Sequence, residues 1–473
     1  MNDKDKKSPR LPRGENISHR ADCPGGGSSG KNAGGLKKSA REAAYLSLLR
    51  CLRDSSFSNL EADSAIRKYS LEGVEKGFYT TLVYGVIERR LTLDHIISLL
   101  SSKPIESLDD EIMTILRLGL YQLIYLDRVP ESAAVNESVK LAKAVKPGAA
   151  SFVNAVLRGF LRKYSKDNLP YPDKSDFIKY LSVRYSCGED VVRILERAGE
   201  VESLLAAFES DPRVTLRVNT LKTSRGEVMS RLSEEGIDAR ETSVSPDGIV
   251  ISGLPDAARR MISDGLVFVQ DEASQLVSHV LMPKAGERVL DICACPGGKS
   301  FSMAMKMGNE GEILAFDLHK NKLSLIDSGA ERLGIGIIRT AEKNGAVYDE
   351  SLDSTADAIL CDVPCSGLGV IPKKPEIRYK LPADIERLPA IQYAILENSS
   401  RYLKKGGRLC YSTCTLNPDE NSGVVDRFIA AHDDFETVPL CVGNLASEDG
   451  KLTLRPDRNG TDGFFISLLR RKI

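Results

Sequence analysis

What the 473-residue sequence lacks narrows its class before any motif is read. No apolar run approaches the roughly 18 residues that a membrane-spanning helix needs, so no membrane partner is expected. The amino terminus, MNDKDKKSPRLPRGEN, has no apolar core of the kind a secretory signal carries. The expected location is therefore the cytoplasm, where thiols stay reduced and the ten cysteines are not a disulfide framework. Formal net charge is −1 and the pI about 6.6, so no global excess of positive charge announces a nucleic-acid partner. C-x-x-C is absent, which argues against a dithiol redox pair.

What is present describes a soluble globular protein: 42% hydrophobic and 28% charged residues. The length exceeds one ordinary core and implies two or three domains. Because phosphate contacts need only one basic face, local patches remain candidates for nucleic-acid binding. One lies in the tail (Lys4, Lys6, Lys7, Arg10, Arg13); Lys373, Lys374 and Arg378 form another. The bland reading of either is solvated surface.

Residues 1–38 are polar and Gly/Ser-rich and cannot bury enough surface to offset their ordering entropy, so they read as a disordered tail. From 39 to 165 apolar residues recur at helical spacing. Tyr45, Leu48, Leu49 and Leu52 form one such face; Tyr79, Leu82, Val83 and Val86 another; Leu116, Leu120, Leu123 and Ile124 a third; Val153, Val156, Leu157 and Phe160 a fourth. This predicts an all-α bundle. A linker, YSKDNLPYPDK, opens a region (166–265) in which helical stretches alternate with RVTLRVNT and GIVISGL, the pattern of a small α+β module. From 266 to 473 the apolar runs RVLDI, EILAFD, AILCD, RLCYST and FFISLL alternate with helix-length segments. That predicts an α/β domain with a parallel-rich sheet covered on both faces, whose ligands bind at the carboxyl ends of the strands.

The first such end reads DICACPGGKS. GGKS resembles the close of a phosphate-binding loop, but the glycine that loop needs is Cys293, and GxGxxG does not stand there either. What remains is Asp291, a Pro-Gly-Gly turn that lets a ligand approach the backbone, and a helix beginning near Lys299. The next strand ends in Asp317, 26 residues on, where an acid suits the two hydroxyls of a ribose. A ribose acceptor without a phosphate cradle points to a nucleoside-type cofactor, with S-adenosylmethionine the natural candidate.

C-x3-C occurs twice, as Cys361/Cys365 and Cys410/Cys414. The spacing permits a zinc site. However, Cys361 and Cys410 lie inside apolar strands, where a thiol packs as a small hydrophobe. Cys365 and Cys414 follow their strands and fall on the ligand-binding rim with Cys295 and Asp317, so each is a candidate nucleophile. Thiols beside a methyl donor suit one problem: carbon 5 of cytosine is a poor nucleophile until a thiolate adds to carbon 6. One cysteine suffices for attack, a second can assist release, and Asp362 is placed to stabilise developing charge.

The motifs DICACPGGK, DVPCSGLG and YSTCTLNPDEN, with VQDEASQL ahead of them, resemble those of the Nol1/Nop2/Sun RNA cytosine-C5 methyltransferases. RVPESAAVNESVKLAK and FVNAVLRGFLRK resemble the NusB fold, an RNA-binding helical domain. The resemblance covers about residues 39–473 and implies a Rossmann-like catalytic domain acting on 16S rRNA, free or in an assembling small-subunit particle, with a monomer expected. It implies that Cys414 is the nucleophile and that Cys365 assists breakdown of the covalent RNA adduct. DNA cytosine methyltransferases place their nucleophile in a proline-cysteine motif, which makes Cys365 the rival. Cys293, Ala294, Cys295, Pro296, Gly297, Gly298, Lys299, Asp317 and Asp362 would line the cofactor site. The family's usual aspartate near the third strand end is missing from RTAEKNGA, leaving Glu342 as its expected replacement. The alternatives are C5 methylation of a cytosine in another RNA (tRNA or 23S rRNA), and, as the competing class, an RNA-binding adaptor with a catalytically dead α/β domain.

Overall fold

The computed structural model describes residues 38–473 except 55–57 and 211–212. The tail 1–37, with its basic patch, lies outside the described residues.

Among the described residues, seven α-helices between Ala40 and Lys163 build the first unit. Each apolar face read from the sequence turns inward: Tyr79, Leu82, Val83, Leu116, Leu120, Val153 and Leu157 are fully buried in one core. Full burial of such side chains contributes roughly 1.5–3 kcal/mol each before entropy is counted. Helix Asp110–Tyr125 is the axis of the bundle and is buried almost all round, as a helix with apolar residues on every side must be.

Helices Phe177–Arg184, Glu189–Glu196 and Val201–Ala207 lead into a four-stranded sheet. Its strands are β1 (Val214–Val218), β2 (Ala239–Glu241), β3 (Gly248–Ile251) and β4 (Val267–Val269), in the order β2-β3-β1-β4 and antiparallel throughout. The small sheet thus takes in residues two to four positions past 265. Leu216, Val218, Ile249 and Val267 fill its core together with Val228 and Leu232 of the helix Arg225–Glu234.

The third unit carries strands β5 (Arg288–Asp291), β6 (Glu312–Asp317), β7 (Ile338–Glu342), β8 (Ala356–Asp362) and β9 (Leu403–Thr413), followed by β10 (Phe435–Thr437), a hairpin of β11 (Leu440–Val442) and β12 (Leu445–Ser447), β13 (Lys451–Leu454) and β14 (Phe464–Arg471). The main sheet runs β10-β14-β9-β8-β5-β6-β7, with β13 paired to β14. From β7 to β9 it is parallel, and β14 closes it antiparallel. Alternation along each strand feeds two cores. Val289, Leu360 and Cys410 face one layer of helices; Leu290, Ile359, Cys361 and Leu409 face the other. Cys361 and Cys410 therefore pack on opposite sides of the sheet, and the four thiols of the two C-x3-C pairs do not converge.

The segment after Cys365 fastens the three units together. Arg378, 1% exposed, donates to the carbonyls of Tyr185 (3.0 Å) and Phe208 (3.2 Å), while its own carbonyl accepts from Gly188 N (2.8 Å). Tyr379 donates to the Ile87 carbonyl (2.7 Å), and the Arg90 guanidinium stacks 3.8 Å from its ring centre. This corrects the reading of Lys373, Lys374 and Arg378 as one basic patch. Arg378 is consumed inside the protein, and Lys373 is held between Asp271 and Asp462, at 2.7 Å each. Of the three, only Lys374 has a side chain with no hydrogen bond or ion pair to another described residue.

Candidate active site

Strand ends β5, β6, β8 and β9 deliver the site. After β5 the chain turns through Cys293–Gly297 into the helix Gly298–Lys306. Gly297 sits at φ 106°, where a Cβ would stand 2.5 Å from the Phe301 ring, so the turn tolerates only glycine. Asp291 lies under this turn, fully buried, its carboxylate accepting from Ser300 Oγ at 2.6 Å. Burial pushes its carboxyl up to about 7, against the Ser300 hydrogen bond.

The helix aims Lys299 at Asp362, at the end of β8, with Nζ 2.7 Å from Oδ2. Burial, the largest single influence, would lower the ammonium, but the charge and hydrogen bond of Asp362, with Cys414 and Asp291, together outweigh it, and Lys299 is held above its ordinary value. Register places Ser412 of β9 beside Asp362, and its hydroxyl donates to Oδ1 at 2.8 Å. Both Asp362 oxygens are thus engaged, and the positive group of the pair is Lys299.

The loops after β8 and β9 bring Cys365 and Cys414 to an Sγ–Sγ distance of 3.2 Å. The two thiols are unequal. A hydrogen bond from Cys365 lowers Cys414, against burial, with the charges of Lys299 and Lys374 acting in the same direction. The same hydrogen bond and burial hold Cys365 well above an ordinary thiol. The contact thus favours the charged form at Cys414 and the neutral form at Cys365. Loop placement around Cys365 is firm: Ser366 N donates to buried Glu420 at 2.8 Å, and Gln392 Nε2 donates to Glu420 (2.9 Å) and to the Pro364 carbonyl (2.9 Å).

Two cavities meet at these groups. The first, about 930 Å³, lies toward β6 and has Asp317, Leu318, Asn344, Ile292, Val363 and Ile395 in its wall. The second, about 860 Å³, lies toward the helix Gly298–Lys306, with Ala294, Pro296, Gly298, Lys299, Asp271 and Phe464 in its wall. Cys293, Cys295, Asp362, Lys374 and Cys414 border both. Gly297 borders neither and shapes the turn instead. Burial pushes both the Cys293 and Cys295 thiols up, and Cys295 Sγ lies 3.5 Å from the Lys322 carbonyl.

Glu342 is brought elsewhere. It ends β7, the edge strand, in register with Asp317, but it is exposed and lies outside both cavity walls. The chain turns inward only after it, so Asn344 takes the wall position. Sequence reasoning stopped at the nearest acid in AEKNGA, although an asparagine can meet the same hydroxyls as donor and acceptor. It also missed Ser412, whose signal was its place one strand over from Asp362. Arg378 and Tyr379 carried no signal at all, since their partners lie some 170 to 290 positions away.

The first cavity fits a nucleoside-type cofactor on its own contents. Asp317 keeps one oxygen free while the other accepts from His319 N (2.9 Å), and apolar side chains floor the adjacent space.

Comparison with known proteins gives the family and the fold. Residues 278–470 match the family model described as 16S rRNA methyltransferase RsmB/F. Residues 38–162 match the NusB family, and 192–256 match the ferredoxin-like domain of RsmF/B-type methyltransferases. A probable ribosomal RNA small subunit methyltransferase B of Bacillus subtilis is 37% identical over 92% of this chain and 99% of its own length. The chain belongs to the ribosomal RNA small subunit methyltransferase B family. An Escherichia coli member is 31% identical over 84% of this chain and 91% of its own. Among solved structures, PH0851 superposes with a TM-score of 0.76, 26% identical, over 92% of this chain and all of that one. A methyltransferase homologue from Pyrococcus horikoshii gives 0.52 at 29% identity, over 60% of this chain and all of its own. The architecture is therefore a NusB helical domain, a ferredoxin-like module and a Rossmann-like methyltransferase domain with a mixed sheet. Among the described residues, no helix is long and apolar enough to cross a membrane.

Proposed function

We propose that the protein methylates carbon 5 of one cytosine in 16S rRNA, in the cytoplasm, using S-adenosylmethionine and a covalent bond between Cys414 and the base. The observation that carries this reading is the 3.2 Å pair of Cys414 and Cys365, standing beside the Lys299–Asp362 ion pair where the two cavities meet.

Asp317 and Asn344 would receive the ribose of S-adenosylmethionine, and the backbone of Cys293–Cys295 its chain. When bound, that group supplies an electrophilic methyl. The remaining chemistry belongs to side chains. Cys414 Sγ adds to carbon 6 of the cytosine, and the ring electrons move toward carbon 5. Lys299, steadied by Asp362, places its ammonium against the negative charge that builds on the base. As Cys414 adds, the Cys365 thiol gives its proton to the base. Once carbon 5 carries its methyl group, the Cys365 thiolate so formed takes the proton from that carbon. The electron pair released re-forms the double bond and expels Cys414 as thiolate, and the proton on the base passes to solvent. The inequality of the two thiols supports Cys414 over Cys365 as nucleophile.

Incubation with tritiated S-adenosylmethionine and unmodified 16S rRNA tests the reading. Label at carbon 5 of one cytosine is expected; no incorporation into the RNA overturns it. Cys365→Ala is expected to accumulate a denaturation-resistant protein–RNA adduct, and Cys414→Ala to form none. The reverse pattern exchanges the two roles.

A further inference from the structure

The second cavity has a wall that the cytosine chemistry leaves unused. Its carboxylates are all engaged: Asp271 and Asp462 by Lys373, Asp362 by Lys299 and Ser412, Asp291 by Ser300, and Glu88 by Arg89 and Arg378. Of its cations, Lys299 and Lys373 are likewise engaged. Two are not. Arg213 and Lys374 are exposed, and neither side chain makes a hydrogen bond or ion pair with any described residue.

These two come from different units and stand on one rim. Arg213 immediately precedes β1, so the ferredoxin-like module supplies it; Lys374 belongs to the methyltransferase domain and also borders the first cavity. Lys374 is not a loosely hung surface lysine. Its backbone N–H reaches the Val370 carbonyl at 3.1 Å, Pro375 follows it, and Arg378 and Tyr379 anchor the segment four and five residues on. A cavity of about 860 Å³ with Cys414 and Lys299 in its wall has room for a nucleotide. A base placed at Cys414 must trail its own sugar and phosphates out through the mouth, where two unpaired cations suit a polyanion.

We propose that Arg213 and Lys374 grip the phosphates flanking the target cytosine, so that the ferredoxin-like module and the methyltransferase domain each hold one side of the flipped nucleotide's backbone. The inference rests on the reading that RNA enters the second cavity, and not on the fate of the base there. Phosphate contacts carry no sequence information; their work is to fix where along the strand the base is presented.

The test measures binding of an unmodified 16S rRNA transcript to the full-length protein across a series of KCl concentrations. Arg213→Ala and Lys374→Ala are each expected to flatten the slope of log affinity against log salt by roughly 0.7–0.9, the value of one phosphate contact. Lys374→Arg and Arg213→Lys should restore it. S-adenosylmethionine affinity, read by calorimetry, should not change, which separates a phosphate contact from damage to the fold. Lys405→Ala, an exposed lysine at the opposite end of β9, serves as comparison and should leave the slope unaltered. Unchanged slopes in both alanine variants, or an equal fall with Lys405→Ala, overturn the proposal. If the slopes fall as expected but no adduct forms at Cys414, the phosphate grip stands and the covalent mechanism fails.

Discussion

Cys365 and Cys414 stand 49 positions apart in sequence, yet their sulfur atoms are 3.2 Å apart. Neither thiol can be understood alone, because the contact that lowers one raises the other.

That coupling makes alkylation kinetics informative. Iodoacetamide should modify Cys414 well before Cys365, with an apparent pKa below that of an ordinary thiol. In Cys365→Ala the main lowering contact is gone and burial remains, so the Cys414 profile should move to higher pH. Peptide mass mapping across a pH series reads both effects. The adduct in that variant should then form more slowly than in the wild type and persist longer.

The wall of the first cavity distinguishes Asp317, Asn344 and Glu342. Asp317→Ala should weaken S-adenosylmethionine binding by about tenfold or more, on the order of 1.5–3 kcal/mol for hydrogen bonds to a charged group. Asn344→Ala should weaken it less, and Glu342→Gln should leave it within twofold. Isothermal titration calorimetry of the three variants checks the ranking.

Asp291 predicts a pH dependence of stability. Its carboxyl is raised to about 7 in the folded protein, so between roughly pH 4 and 7 the folded state holds a proton that the unfolded chain has released. Its contribution is fully present below the unfolded value and lost as pH rises through the folded one. Asp291→Asn should remove that decline, leaving a flatter profile of denaturation midpoint against pH. Urea titrations across the range measure it.

Arg378 and Tyr379 predict a loss of stability that spreads beyond their own domain. Arg378→Ala strands the Tyr185 and Phe208 carbonyls in a buried interface and should cost about 3 kcal/mol; Tyr379→Phe should cost about 1. Hydrogen exchange should report the loss in Phe177–Arg184 and in the bundle near Ile87, and not only near residue 378.

The fold was legible where local pattern determined it. Leu116, Leu120, Val153 and Leu157 announced a buried helical face, and the run AILCD announced a strand, because periodicity of 3.6 or 2 is written in neighbouring residues. The rim cysteines were legible because a strand end is a place that the sequence marks. Glu342 was not, since its exclusion from the cavity depends on where the chain turns after an edge strand. Arg378 was not, since a lysine-rich context looks like surface until its distant partners are known. The free state of the Lys374 side chain is legible only by subtraction, once Lys299 and Lys373 have been matched to their acids.

The anchoring of the Cys365 loop has a consequence for the order in which the molecule is made. The bundle residues that Tyr379 and Arg378 engage leave the ribosome nearly three hundred residues before them, and the module residues nearly two hundred. Domains tend to fold as they emerge, amino-terminal first. The earlier units therefore present a finished receptor, and the segment bearing Cys365 locks onto it on arrival. Cys414 comes later still. A thiolate capable of bonding to RNA is completed only after the parts that constrain it are already standing, so the growing chain carries no reactive pair through most of its synthesis.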